Sequence, residues 1–219
     1  MVEIRAFRQA DLDDLYRICL ATGAGGDDAS VLYRDPKLLG HVYAAPYAAY
    51  SPESVFVAED TEGVGGYIVG APDTHAFEAR LEAEWWPELR RLYPEPTEEP
   101  RSGWSRDQLM SHRIHHPGRT ASEIVEPYPS HLHINLLPHL RGRRLGRRLM
   151  ERWLGSIRDL GSRGAHLAVG AANSRAIGFY RACGFHEMQP PSRPASTALW
   201  FAIDLRPGAS RSCTGPTGG

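Results

Sequence analysis

Hydrophobic and polar residues alternate from Val2 to Arg8, the period-two pattern of a strand. Leu12, Leu15, Ile18 and Cys19 then recur at helical spacing beside Asp11, and Gly23 is placed to end that helix. From Tyr33 to Tyr50 the pattern is helical in parts, interrupted by Pro36 and Pro46. Ser54 to Glu59 and Val64 to Gly70 alternate on either side of Asp60-Thr61-Glu62-Gly63, which predicts a hairpin. Between Pro72 and Pro129 the rhythm breaks. Phe77, Leu81, Trp85, Leu89 and Leu92 keep helical spacing apart from Pro87, and Leu109, Met110 and Ile114 mark a second short helix. Pro94 to Pro100 is an acidic, proline-rich loop. The pattern predicts a helical insertion over 72–129 laid on one face of a sheet, with Trp85, Trp86 and Trp104 as packing residues or, for some of them, the lining of a substrate entrance.

The segment Ser130 to Phe185 organises the rest. Leu132, Ile134 and Leu136 alternate with His131, His133 and Asn135, a strand that Pro138 ends. The turn Arg141-Gly142-Arg143-Arg144-Leu145-Gly146 follows, and Leu145, Leu149, Trp153, Ile157 and Leu160 then repeat at helical spacing up to Gly161 and Gly164. A strand beginning at His166 to Val169 and a helix over about Ser174 to Ala182 complete the segment. Strand, Gly/Arg turn and helix together make an anion seat. The first N–H groups of a helix lack intrahelical partners, the helix dipole makes that end positive, and glycines let a ligand approach the backbone. Phe185 to Met188 and Thr197 to Leu205 read as final strands, and the tail 207–219, without apolar periodicity, is expected to be mobile.

At 219 residues and 42% hydrophobic content the chain suits one domain over 1–206 carrying an insertion. A net charge of −1 argues against a bulk nucleic-acid or membrane binder, and no run reaches the ~18 apolar residues of a membrane span. Lys37 is the only lysine, so the basic cluster at Arg141 to Arg148 belongs to a chain that uses arginine throughout. Three widely separated cysteines give neither a disulfide framework nor a metal pattern, so a reducing, cytoplasmic setting is expected. His112, His115 and His116 lie together, but no H-E-x-x-H signature accompanies them. They read as a solvated helix end, with no metal.

Strand, Pro138, Arg141-x-x-x-x-Gly146, helix, strand, Asn173, then Phe179-Tyr180-x-x-x-Gly184-Phe185 resembles the core of the GCN5-related N-acetyltransferases. Within them it is similar to bacterial proteins resembling the C-terminal acetyltransferase-like domain of O-GlcNAcases. The resemblance implies an α/β (α+β) fold, a mixed sheet of about six to seven strands with helices on both faces. It implies acetyl-CoA as donor and an amine, not identified, as acceptor. Main-chain groups of Leu136 and Leu137 would pair with the pantetheine arm. Arg141, Gly142, Arg143, Arg144, Leu145, Gly146 and Arg147 would surround the pyrophosphate, Asn173 would meet the pantetheine amides, and Ala176 and Phe179 would flank the cofactor. The family's loop pattern is Gln/Arg-x-x-Gly-x-Gly/Ala, and Arg144 stands at its first glycine. That departure matters if the position requires positive φ.

Acyl transfer from a thioester needs a neutral amine, a stabilised oxyanion and a proton for the leaving thiolate. Tyr180 matches the family's tyrosine near the sulfur and is the expected general acid. The strand before the loop carries no carboxylate, so His133, ahead of His131, is the expected base, with Glu59 and Glu126 as alternatives acting through water. The other reading is a CoA-binding module without turnover. Oligomeric state is open, a homodimer included.

Overall fold

A computed structural model describes residues 2–97, 101–189 and 198–206. The expected tail and most of the Gln189–Pro194 connection lie outside the described residues.

Seven strands form one sheet in the order β1-β2-β3-β4-β5-β7-β6. They are β1 (Glu3–Ala6), β2 (Phe56–Asp60), β3 (Gly63–Ala71), β4 (Ser130–Leu136), β5 (Gly164–Gly170), β6 (His186–Met188) and β7 (Ala198–Asp204). All neighbours are antiparallel except β4 and β5. The sequence's period-two pattern sorts the strands' side chains onto two cores. Val57, Tyr67 and Val69 face one, while Phe56, Ala58, Ile68 and Leu132 face the other.

The first core is covered by α1 (Leu12–Ala21), α2 (Leu38–Tyr43), α3 (Ala45–Tyr50) and the insertion. Pro46 lies in the first turn of α3, where its missing N–H costs nothing, so it opens a helix rather than interrupting one. The insertion consists of α4 (Thr74–Arg80), a π turn over Leu81–Trp85, α5 (Trp86–Leu92), α6 (Arg106–His115) and α7 (Ser122–Val125). The π turn adds a residue to the repeat. The buried face therefore runs Phe77, Leu81, Trp86, Leu89, and the tryptophan in the core is Trp86. Trp85 is half-buried and donates its indole N–H to the His41 carbonyl at 2.9 Å. Leu92, expected on the same face, is exposed.

The second core lies under α8 (Leu145–Asp159) and α9 (Ser174–Ala182). Leu145, Leu149, Trp153 and Ile157 are buried as their spacing predicts, and α8 packs across β2, β3 and β4. Leu160 departs from the stripe. The helix ends at Asp159, Gly161 turns the chain with φ +85°, and Leu160 is left 52% exposed.

Candidate active site

β4 and β5 pair only as Ser130 with Ala165 and His131 with His166. Beyond that β4 continues on β3 alone and β5 on β7 alone, so the parallel strands part toward their C-terminal ends. The gap is a cleft of about 670 Å³, walled by Ile134, Leu136, Val169, Ala176, Phe179 and Tyr180.

The Gly/Arg turn closes one end of this cleft. Arg141 is extended, Gly142 has φ +73°, and Arg144 caps α8 with φ +59°. Arg144 is thus a non-glycine residue held in the left-handed region, at a cost of about 1–2 kcal/mol. Its side chain is exposed, so the turn keeps its shape and its N–H groups. Arg148 N–H is the first to bond back, to Arg144 O at 3.1 Å. That leaves the N–H groups of Leu145, Gly146 and Arg147 without a helical acceptor at the positive end of α8. Gly146 sits in a tight place, where a Cβ would stand 3.2 Å from side-chain atoms of both Leu136 and Phe179 and push them back by a few tenths of an ångström. Gly142, Arg144 and Arg147 line the cleft, whereas Arg143 is exposed and does not.

Arg141 does more structural work than its place in the motif suggests. Its Nε donates to Leu136 O at 3.0 Å and its NH2 group to Gly26 O, tying β4 to the loop after α1. Burial and the nearby Arg175 push its pKa below the usual guanidinium value.

The main chain of Leu137 is corrected by the structure. Its N–H donates to Gly65 O at 2.9 Å and its carbonyl accepts from Leu140 N–H at 3.0 Å, so neither group faces the cleft. Because successive residues of a strand point to opposite neighbours, Leu136 and Ile134 turn their N–H groups toward the gap. Across it, Asn173 caps α9 through Oδ1, which accepts from Ala176 N–H at 3.0 Å and leaves its amide NH2 for other partners. Tyr180 lines the cleft among Phe179, Phe185 and Phe201. Burial raises its pKa, so the phenol stays protonated at neutral pH.

A second chamber of about 550 Å³ lies beyond the parting point, between β4, β5 and the insertion. Both cavities share Tyr43, His133 and Ala168, so they meet at His133. Tyr47, Phe77, Trp86 and Trp200 give the second chamber aromatic walls. Glu78 holds Thr120 through Oε1, which accepts from the backbone N–H at 3.0 Å and the hydroxyl at 2.7 Å. Its other oxygen, Oε2, is buried without a hydrogen-bond partner among the described residues. Glu82 also lines the chamber but is engaged by both terminal nitrogens of Arg90, at 2.7 and 2.9 Å.

The two candidate histidines part company here. Thr74 gives its hydroxyl proton to Pro129 O at 2.7 Å, so His131 Nδ1–H must donate to Thr74 Oγ1 at 2.8 Å. His131 Nε2 then accepts from the Tyr47 hydroxyl at 2.8 Å. With both nitrogens engaged, His131 is a strut. The rings of Tyr43 and Tyr47 meet His133 edge-on, each at 5.6 Å, and no hydrogen bond to His133 is found among the described residues. Burial, helped by Arg113, pushes its pKa down to about 4, so it is neutral at pH 7. Glu59 is held by Arg5 at 2.6 Å on the β1–β2 side of the sheet, and Glu126 is exposed; neither lines either cavity.

Sequence reasoning missed Thr22, Gly25, Gly26 and Arg175, all of which line the cleft. Arg175 NH2 packs so close to Gly26 that a Cβ there would collide with it. It adds a cation that no motif announced.

A family model for the acetyltransferase (GNAT) domain matches residues 115–187. Protein O-GlcNAcase of Rattus norvegicus is 24% identical over 186 residues, 84% of this chain, and the Mus musculus protein is 24% identical over 189. The chain spans 20% of the length of these relatives. Among solved structures, the crystal structure of SsHAT is 36% identical with a TM-score of 0.84, covering 93% of this chain and 98% of that one. The structure of yncA, a putative acetyltransferase from Salmonella typhimurium with its cofactor acetyl-CoA, is 14% identical over 97% of this chain and 98% of its own. Its TM-score of 0.52 reflects a shared fold. Among the described residues no helix is long and apolar enough to cross a membrane.

Proposed function

This chain belongs to the GNAT acetyltransferase family, and from that premise we propose that it transfers an acetyl group from acetyl-CoA to an amine by direct attack. The observation that carries the reading is the parting of β4 from β5, which opens a donor cleft and a second chamber that meet at His133.

The pyrophosphate sits on the free N–H groups of Leu145, Gly146 and Arg147, with Arg144 and Arg175 adding positive charge. The pantetheine arm lies against the main chain of Ile134 and Leu136 and meets the Asn173 amide, between Ala176 and Phe179. The thioester reaches the junction beside Tyr180. The amine comes through the second chamber, where the unpartnered oxygen of Glu78 attracts its ammonium form. The ammonium gives its extra proton to water, the neutral amine nitrogen bonds to the thioester carbon, and the C–S bond breaks. The amine proton passes to His133, directly or through water, and the Tyr180 phenol supplies a proton to the thiolate.

A second reading, CoA binding without turnover, draws support from the donor cleft itself, which has no carboxylate among its lining residues. Thiol release from acetyl-CoA over a panel of amines decides between the two. Amine-dependent release that falls in Tyr180→Phe supports transfer. Saturable acetyl-CoA binding with no release for any amine supports the binding module.

A further inference from the structure

The histidine cluster of the insertion takes no part in the reaction above. Ser105 fixes the register of α6, its Oγ accepting from Gln108 N–H at 3.2 Å while Gln108 Oε1 accepts from Ser105 N–H at 2.8 Å. His112 and His116, one turn apart at its end, lie with ring centroids 4.4 Å apart. Glu95, on the segment after α5, reaches across to both. Its Oε1 contacts His116 Nε2 and lies 3.5 Å from His112 Nδ1. The three donor atoms fall within 4.8 Å of one another.

A second observation concerns hydrogen bonding. Among the described residues His112 Nδ1 is buried and makes no hydrogen bond, with Glu95 Oε1 as its charged neighbour at 3.5 Å. His115 repeats the pattern at longer range. Its Nε2–H donates to Tyr93 O at 2.8 Å, and its Nδ1 lies 3.8 Å from Glu95 Oε2. Three imidazoles converging on one carboxylate offer a cation, in their neutral forms, two or more nitrogen lone pairs beside a negative oxygen.

We propose that His112, His116 and Glu95 bind a divalent transition-metal ion of the zinc type, which pins α6 to the segment following α5. Two imidazole nitrogens and one carboxylate oxygen suit Zn²⁺ and its transition-metal neighbours, not Mg²⁺ or Ca²⁺, which prefer oxygen. Metal–ligand bonds of about 2.1 Å in a tetrahedron separate the ligand atoms by about 3.4 Å, close to the 3.5 Å between His112 Nδ1 and Glu95 Oε1. The direct contact of Oε1 with His116 Nε2 opens to that separation when the ion enters. The fourth position is left for water. Arg101 lies 3.4 Å from His112 Nε2 and brings an opposing charge. When Nε2 carries the proton and Nδ1 the ion, that contact is given up, and Arg101 keeps its place over the Trp104 ring, 5.3 Å from the centroid. The next residue, Arg113, lines the second chamber, so the ion fixes one of that chamber's walls.

The test is titration of the untagged full chain with Zn²⁺ by calorimetry and with Co²⁺ by visible absorption. One ion per chain is expected, with the intense visible bands of four-coordinate Co²⁺. His112→Ala and His116→Ala should each weaken binding by about tenfold or more, and His139→Ala, at an exposed histidine beside Asp60, should leave it unchanged. Circular dichroism confirms that each variant is folded. Absence of saturable binding overturns the proposal. So does binding that both variants retain, which would place the ion elsewhere, for instance on a cysteine.

Discussion

The donor cleft and the second chamber share three residues yet are built from different materials. The cleft has apolar side-chain walls, but its polar features are backbone: two parting strands, a turn with left-handed residues at Gly142 and Arg144, and N–H groups without helical acceptors at the start of α8. The chamber is made of side chains drawn from α2, α3, the insertion, β4, β5 and β7. Backbone tolerates exchange of side chains that point away, which is how Arg144 can replace a glycine without abolishing the seat. A chamber of side chains changes its ligand when any one of them changes. Under the proposed function, the cleft would take the donor common to the family and the chamber an acceptor particular to this chain.

The variants that separate the two regions differ in size of effect. At the junction, Tyr180→Phe should lower turnover by about 10²-fold or more while acetyl-CoA binding holds, because only the proton for the thiolate is lost. An unchanged rate would remove Tyr180 from the chemistry and leave the cleft intact. Glu78→Gln should raise KM for the amine by about tenfold without affecting KM for acetyl-CoA. An equal rise for both substrates would erase the distinction between the regions.

Acid should act on the chamber before the cleft. His133 and His166 have pKa values pushed down to about 4 by burial, and His131 lies well below its usual value for the same reason. The unfolded chain therefore takes up protons near pH 6.5 while the folded chain resists. Stability is full above that pH and falls as pH drops toward 4. For His166 alone the loss is about 2 kcal/mol by pH 5. Urea melts at pH 7 and 5 measure this, and His166→Phe should flatten the dependence. A slope unaltered in that variant would show that His166 is not held neutral.

The smallest effect belongs to the turn. Arg144→Gly should change stability by no more than about 1 kcal/mol, since relief at positive φ is offset by the freedom glycine gains when unfolded. Acetyl-CoA binding should persist. Loss of binding would mean that the arginine side chain, not the backbone, carries the phosphate.

The same contrast governs how much was legible in the sequence. α8 and its turn could be read because their signals are local: glycines, then Leu145, Leu149, Trp153 and Ile157 at one spacing. Leu160 continued that spacing past the end of the helix, which a periodicity alone cannot detect. Leu137 was misassigned because strand parity is set by the pairing with Gly65. His131 and His133 look alike in sequence, and the residues that distinguish them, Thr74 and Tyr47, come from elements far along the chain. Trp86 displaced Trp85 from the core through a π turn that no residue pattern announced. A substrate entrance lined by insertion tryptophans is one sequence expectation, and Trp86 does line the second chamber. The chamber's other walls are products of tertiary packing that no local pattern carries.

The central claim is that the gap between β4 and β5 holds acetyl-CoA with its pyrophosphate on the start of α8. Calorimetry with acetyl-CoA on the wild-type chain and on Gly146→Leu tests it most directly. The account predicts saturable binding in the wild type and a loss of about hundredfold in the variant, whose side chain must occupy space already bounded by Leu136 and Phe179 at 3.2 Å. No binding by the wild type at about millimolar ligand, or equal affinity in a folded variant, would contradict it.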